Sequence, residues 1–139
     1  MADNSILEPL TGFEPFDRAI ADFSNIEDAD EQEAARSKIW EEFGTEGAVF
    51  ISDMASFSST SRKIGVCHFL KLIHRARQVI APIVEANNGT LLKCDADNTY
   101  AFFDSTDDAI RASFEINAAM FRSNDGYPIQ EQILSLIHI

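Results

Sequence analysis

Between residues 61 and 87, apolar side chains recur in steps of three and four: Val66, Phe69, Leu70, Ile73, Ala76, Ile80 and Ile83. That period marks one buried face of a long α-helix. A helix with a single apolar stripe needs a second layer to cover it, and short β-branched and aromatic runs flank it on both sides. Ala48–Ser52 precedes it, while Thr90–Cys94 and Thr99–Phe103 follow. Gly65 allows a short separate helix ahead of the main one, and Pro82 disturbs its last turns. Asn87-Asn-Gly89 closes it with residues that tolerate positive φ.

The remaining segments complete a recognisable order. Asp95-Ala-Asp-Asn98 separates two strands as a hairpin turn. Ser105-Thr-Asp-Asp108 has the form of a capping box and opens a helix to about Phe121, with Ala109, Ala112, Ile116 and Met120 inward. Asn124–Pro128 is a loop, and Ile129 to Ile139 reads as a strand. Strand, helix, strand, strand, helix, strand is the ferredoxin-like split βαβ plan (βαββαβ). It is an α+β fold, a four-stranded antiparallel sheet with both helices on one face. An acidic helical leader precedes it. Residues 1–16 form an irregular arm broken by Pro9, Gly12 and Pro15, and Asp17 to about Phe23 makes a short helical turn. Asp30 to Phe43 is a helix stopped by Gly44, with Trp40 as a packing anchor. The expected organisation is an arm over 1–29, a domain over 30–133 and a tail over 134–139.

Charge narrows the class of partner. The net charge is −12, and residues 1–47 hold thirteen acids against three bases, while 48–139 hold ten against eight. No basic stripe is available to neutralise a nucleic-acid backbone. Arg62, Lys63, Lys71, Arg75 and Arg77 fall mostly off the apolar helix face and read as solvated surface; His68 and His74 read as surface or helix contacts. No apolar run reaches bilayer length, the first residues have no basic region, and Cys67 and Cys94 make no metal or disulfide pattern. A cytoplasmic protein without a membrane segment is expected.

Two acidic residues stand out against this background. The first strand ends on Asp53, followed by small and hydroxylated residues, and Asp97 sits in the hairpin turn. In the split βαβ topology the first strand lies beside the third, so its C-terminal end comes near the turn joining the second and third strands. Paired carboxylates there suit divalent cations on a nucleoside triphosphate. Taken singly, each is equally an ordinary turn or cap residue.

Both stretches together resemble the catalytic domain of the class III nucleotidyl cyclases. In that family a strand ends in aspartate, then an apolar residue, any residue, glycine, phenylalanine, and threonine or serine. Asp53-Met-Ala-Ser-Phe-Ser58 matches, with Ser56 in the glycine place. A second family block runs from lysine or glutamate through three residues to aspartate, then toward alanine and phenylalanine. Lys93-Cys-Asp-Ala-Asp97-Asn-Thr-Tyr-Ala-Phe102 fits that spacing. The resemblance spans about residues 31–133.

It implies cyclisation of a nucleoside triphosphate to a 3′,5′-cyclic monophosphate with release of pyrophosphate. Asp53 and Asp97 would hold two Mg²⁺ or Mn²⁺ ions, with the Met54 backbone carbonyl as a further ligand. Ala55, Ser56, Phe57 and Ser58 would cradle phosphate. Lys93 would read the purine, and an ammonium, which only donates, suits N1 of adenine and mismatches the N1–H of guanine, favouring ATP over GTP. The resemblance also implies a homodimer in which the second subunit supplies an asparagine and an arginine, both beyond the last strand here. This chain by itself is therefore expected to be inactive. The alternative is a non-catalytic cyclase-homology module for dimerisation or regulation.

Leu134-Ser-Leu-Ile-His-Ile139 is what a common transposon-end sequencing adapter encodes in frame, although its alternation also suits a strand. The tail is expected to be adapter-derived. Resequencing the locus without transposon-based libraries is expected to give other residues after Ile133; the same hexapeptide followed by a stop would refute it.

Overall fold

The structure, a computed structural model, describes residues 11–54 and 65–139, the Gln130 side chain excepted. It divides into two units, Met1–Thr45 and Glu46–Ile139. The division falls in the polar break around Thr45.

In the first unit, α1 (Glu14–Ser24) and α2 (Ala29–Phe43) are both full helices. α1 starts earlier than the short turn expected from Asp17. Pro15 sits in the first turn, where its missing N–H leaves no bond unmade. Asp17 meanwhile accepts from the Thr11 and Gly12 amides and from the Thr11 hydroxyl. Asp28 caps α2 by accepting from the Asp30 and Glu31 amides. On α2, Arg36 donates to both oxygens of Glu33 and holds that carboxyl below the usual range. Phe43 meets Phe13 and Phe16 edge-on at 6.3 and 5.4 Å. Neither helix buries a residue. Trp40 is thus not the anchor its size suggests: it is 64% exposed. With Ile20, Phe23 and Ile39 it lines an open cleft of about 570 Å³.

The second unit runs β1 (Ala48–Met54), α3 (Val66–Ala86), β2 (Gly89–Asp95), β3 (Asn98–Phe103), α4 (Thr106–Ser123), a 3₁₀ turn (Ile129–Glu131) and β4 (Ser135–His138). The sheet is antiparallel throughout, in the order β2-β3-β1-β4. This is the strand order of the split βαβ plan, in an α+β fold. Alternation along β1 and β3 buries Ala48, Phe50, Met54, Ala101 and Phe103. These residues share one core with Phe69, Leu72, Ile73, Ala76, Ile80 and Val84 of α3 and with Ala109, Ala112, Ile116 and Met120 of α4. The α4 stripe is the one expected. On α3 the stripe is rotated: Val66 and Leu70 are 65% and 56% exposed, and Leu72 and Val84 take inward places. Ile73, Ala76, Ile80 and Val84 keep to the helical repeat, from which Val66 and Leu70 drift outward. The helix passes through Pro82 to Ala86.

Two further expectations for this unit change. The last strand does not begin at Ile129. Asn124 bonds both backbone groups of Ile133, accepting from its N–H at 2.7 Å and donating to its carbonyl at 2.9 Å. Backbone groups engaged that way are withheld from a strand ladder, and pairing starts only at Ser135. Arg75, expected to be solvated, is half-buried. Its guanidinium lies 3.9 Å over the Tyr127 ring and donates from Nη2 to Asn124 Oδ1 and the Glu131 carbonyl. Among the described residues, buried Nε and Nη1 have no hydrogen-bond partner, and the guanidinium carbon lies over the π face of Tyr127. Lys71 adds an ion pair to Glu131 at 3.6 Å.

Phe103 is fully buried, edge-on to Phe50 at 6.2 Å. Phe103→Ala is expected to destabilise the protein by about 3–5 kcal/mol in urea unfolding. Phe121→Ala, at a side chain 78% exposed, is expected to change stability by less than about 0.5 kcal/mol.

Candidate active site

Antiparallel pairing sets the geometry at one end of the sheet. β1 runs against β3 from Ala48↔Phe103 to Ser52↔Thr99, and β2 runs against β3 as far as Asp95↔Asn98. The end of β1 and the bend of the β2–β3 hairpin therefore arrive at the same edge. The Met54 amide donates to Asp97 Oδ2 at 3.3 Å, joining residues 43 apart in sequence. Asp53 alternates with buried Ser52 and Met54, so it belongs to the opposite face of β1 from the core, and it is half-buried, as is Asp97. Among the described residues neither carboxylate has an ion-pair partner.

The donor set here is small and oxygen-only. Among the described residues no group of three or more His, Cys, Asp or Glu is placed to hold a metal ion. Two carboxylates still fit Mg²⁺, which keeps several waters and is commonly held by one or two carboxylates plus substrate phosphates. Of the remaining expected residues, Ala55, Ser56, Phe57 and Ser58 lie outside the described residues. For Met54 the structure gives the amide contact, while its side chain is buried in the core.

Lys93 is exposed on β2, an edge strand, just past an irregularity in the β2–β3 register. It stands opposite Tyr100, and its Nζ lies 4.8 Å from that ring centroid. At an exposed site such a contact contributes about 0.5–1 kcal/mol, enough to bias where the ammonium points.

Sequence reasoning missed Arg77. From α3 its Nη2 donates to the Ala96 carbonyl at 2.7 Å, reaching the hairpin bend from the helix side. Ala96 has φ +50°, a conformation that costs an L-residue on the order of 1–2 kcal/mol. The signal available in sequence is slight: an arginine beside the apolar stripe, and an alanine at a bend position where glycine is usual.

No protein-family model matches the chain, and no curated protein matches it in sequence. Solved structures do match. One structure of a bacterial light-regulated adenylyl cyclase is 24% identical with a TM-score of 0.59, over 64% of this chain and 49% of that one. Another of a bacterial light-regulated adenylyl cyclase is 17% identical with a TM-score of 0.60, over 82% and 43%. The guanylyl cyclase Cya2 is 20% identical with a TM-score of 0.55, over 64% and 50%. The fold is that of a class III cyclase catalytic domain in part: this chain spans about half the length of each structure.

Replacing the acceptor tests the contact between the bend and β1. Asp97→Ala is expected to speed hydrogen exchange at the Met54 amide about fivefold, the worth of one net hydrogen bond. Asp97→Asn, which keeps an oxygen there, is expected to stay near wild type.

Proposed function

We propose that the chain is part of a nucleotidyl cyclase catalytic domain, converting ATP to a 3′,5′-cyclic nucleotide and pyrophosphate in cyclic-nucleotide signalling. The observation that supports it is the Met54–Asp97 contact, which brings the hairpin carboxylate to the end of the strand bearing Asp53. The cyclase-like fold supports it from outside the chain.

In this reading Asp53 and Asp97 hold the metal-bound triphosphate at the end of β1. The ribose 3′-oxygen forms a bond to the α-phosphorus. The bond from that phosphorus to the bridging oxygen breaks, its electron pair leaving on pyrophosphate, and the 3′-hydroxyl proton passes to solvent. Bound Mg²⁺ or Mn²⁺ supplies Lewis acidity toward the 3′-hydroxyl and neutralises phosphate charge. The Met54 carbonyl would be a further ligand; the expected phosphate-binding residues 55–58 lie outside the described residues. Lys93, biased by Tyr100, donates to N1 of adenine, and GTP is the poorer substrate. The working form is a homodimer.

Calorimetric titration of a non-hydrolysable ATP analogue with Mn²⁺ tests this without turnover. Wild type is expected to bind, and Asp53→Ala to bind at least about tenfold more weakly. No binding by wild type, or unchanged binding by Asp53→Ala, would remove the nucleotide reading. Lys93→Glu is expected to weaken the ATP analogue more than the GTP analogue.

A further inference from the structure

We propose that Arg77 is a positioning residue for Asp97, setting the direction of that carboxylate from the helix layer; this rests on reading Asp97 as a metal ligand. The hairpin bend is held from two sides. From α3, Arg77 Nη2 donates to the Ala96 carbonyl at 2.7 Å. From β1, the Met54 amide donates to Asp97 Oδ2 at 3.3 Å.

The first bond governs Asp97 because of peptide geometry. The Ala96 carbonyl and the Asp97 nitrogen belong to one rigid plane, so fixing the carbonyl fixes the line along which the Asp97 Cα is set. Ala96 is held at positive φ, and such a residue keeps its conformation only where its surroundings over-determine it. The guanidinium supplies that restraint through a charge-assisted bond, shorter and stronger than a neutral one. Side chains that orient a metal ligand without touching the metal influence affinity nearly as much as some ligands do. Arg77 stands in that relation to Asp97, one peptide away and on a different layer of the fold. It is also part-exposed, so its replacement is compatible with folding.

Three variants of the full chain separate the possibilities. Arg77→Met keeps the stem and removes the donors, Arg77→Lys keeps a cationic donor, and Asp97→Asn removes the ligand charge while retaining an oxygen for Met54. Free Mn²⁺ is measured by electron paramagnetic resonance in the presence of a non-hydrolysable ATP analogue, and the Met54 amide is followed by ¹⁵N-resolved NMR. Arg77→Met is expected to shift the Met54 amide resonance and weaken Mn²⁺ binding roughly tenfold, with Arg77→Lys recovering most of the affinity. If Arg77→Met lowers only the thermal midpoint, leaving Mn²⁺ affinity within about twofold of wild type while Asp97→Asn loses it, the positioning role is overturned and the metal site stands. If Asp97→Asn also binds Mn²⁺ as wild type does, the metal reading fails and the role of Arg77 with it.

Discussion

The antiparallel seam between β1 and β3 is the constraint on which the rest depends. Once Ala48 is paired with Phe103, every later partner follows, and the seam delivers the last residues of β1 to the β2–β3 bend. A slip of β1 by one residue would turn Phe50 out of the core and reverse the faces of Ser52 and Asp53. The register is therefore enforced by hydrophobic burial, far more strongly than the polar contacts at the sheet's end could enforce it. The acidic pair inherits its placement from packing elsewhere: the core residues decide where the carboxylates stand.

Most of that seam was legible in the residues. β-branched and aromatic runs at 48–52 and 99–103, a long stripe on one helix and a capping box before the other specify the element order, and the split βαβ plan then brings two sheet ends together. What escaped were interactions with no period and no motif. The stripe of α3 was misread at Val66 and Leu70 because a helical repeat tolerates either neighbour of the true line until a partner layer selects one. Trp40 was misread because size alone does not decide burial, and it is largely exposed. Arg75 and Arg77 were read as solvent-facing because charge is the stronger prior, yet each finds backbone carbonyls far along the chain. A guanidinium can lie on a ring or fork toward carbonyls while its stem covers apolar surface, so position on a helical wheel is a poor guide to its fate.

The candidate site was legible at its two acids and opaque at their supports. Asp53 and Asp97 announce themselves by place, one at a strand tip and one in a bend. Tyr100 and Arg77 do not, since the first looks like any half-buried strand aromatic and the second like any helical arginine. Resemblance to a family motif identifies residues that would meet a substrate and is silent about what holds them. The supporting contacts come from this chain's own packing, and only coordinates reveal them.

The fastening of the crossover into β4 has a consequence for the tail. Arg75, Tyr127 and Asn124 grip the segment only as far as Ile133, whose side chain is already in the core. Beyond it, β4 pairs with β1 from Ser135 to His138, and Ile137 packs against the core. The crossover therefore enters β4 on a heading already set at Ile133, and β4 completes the sheet beside β1.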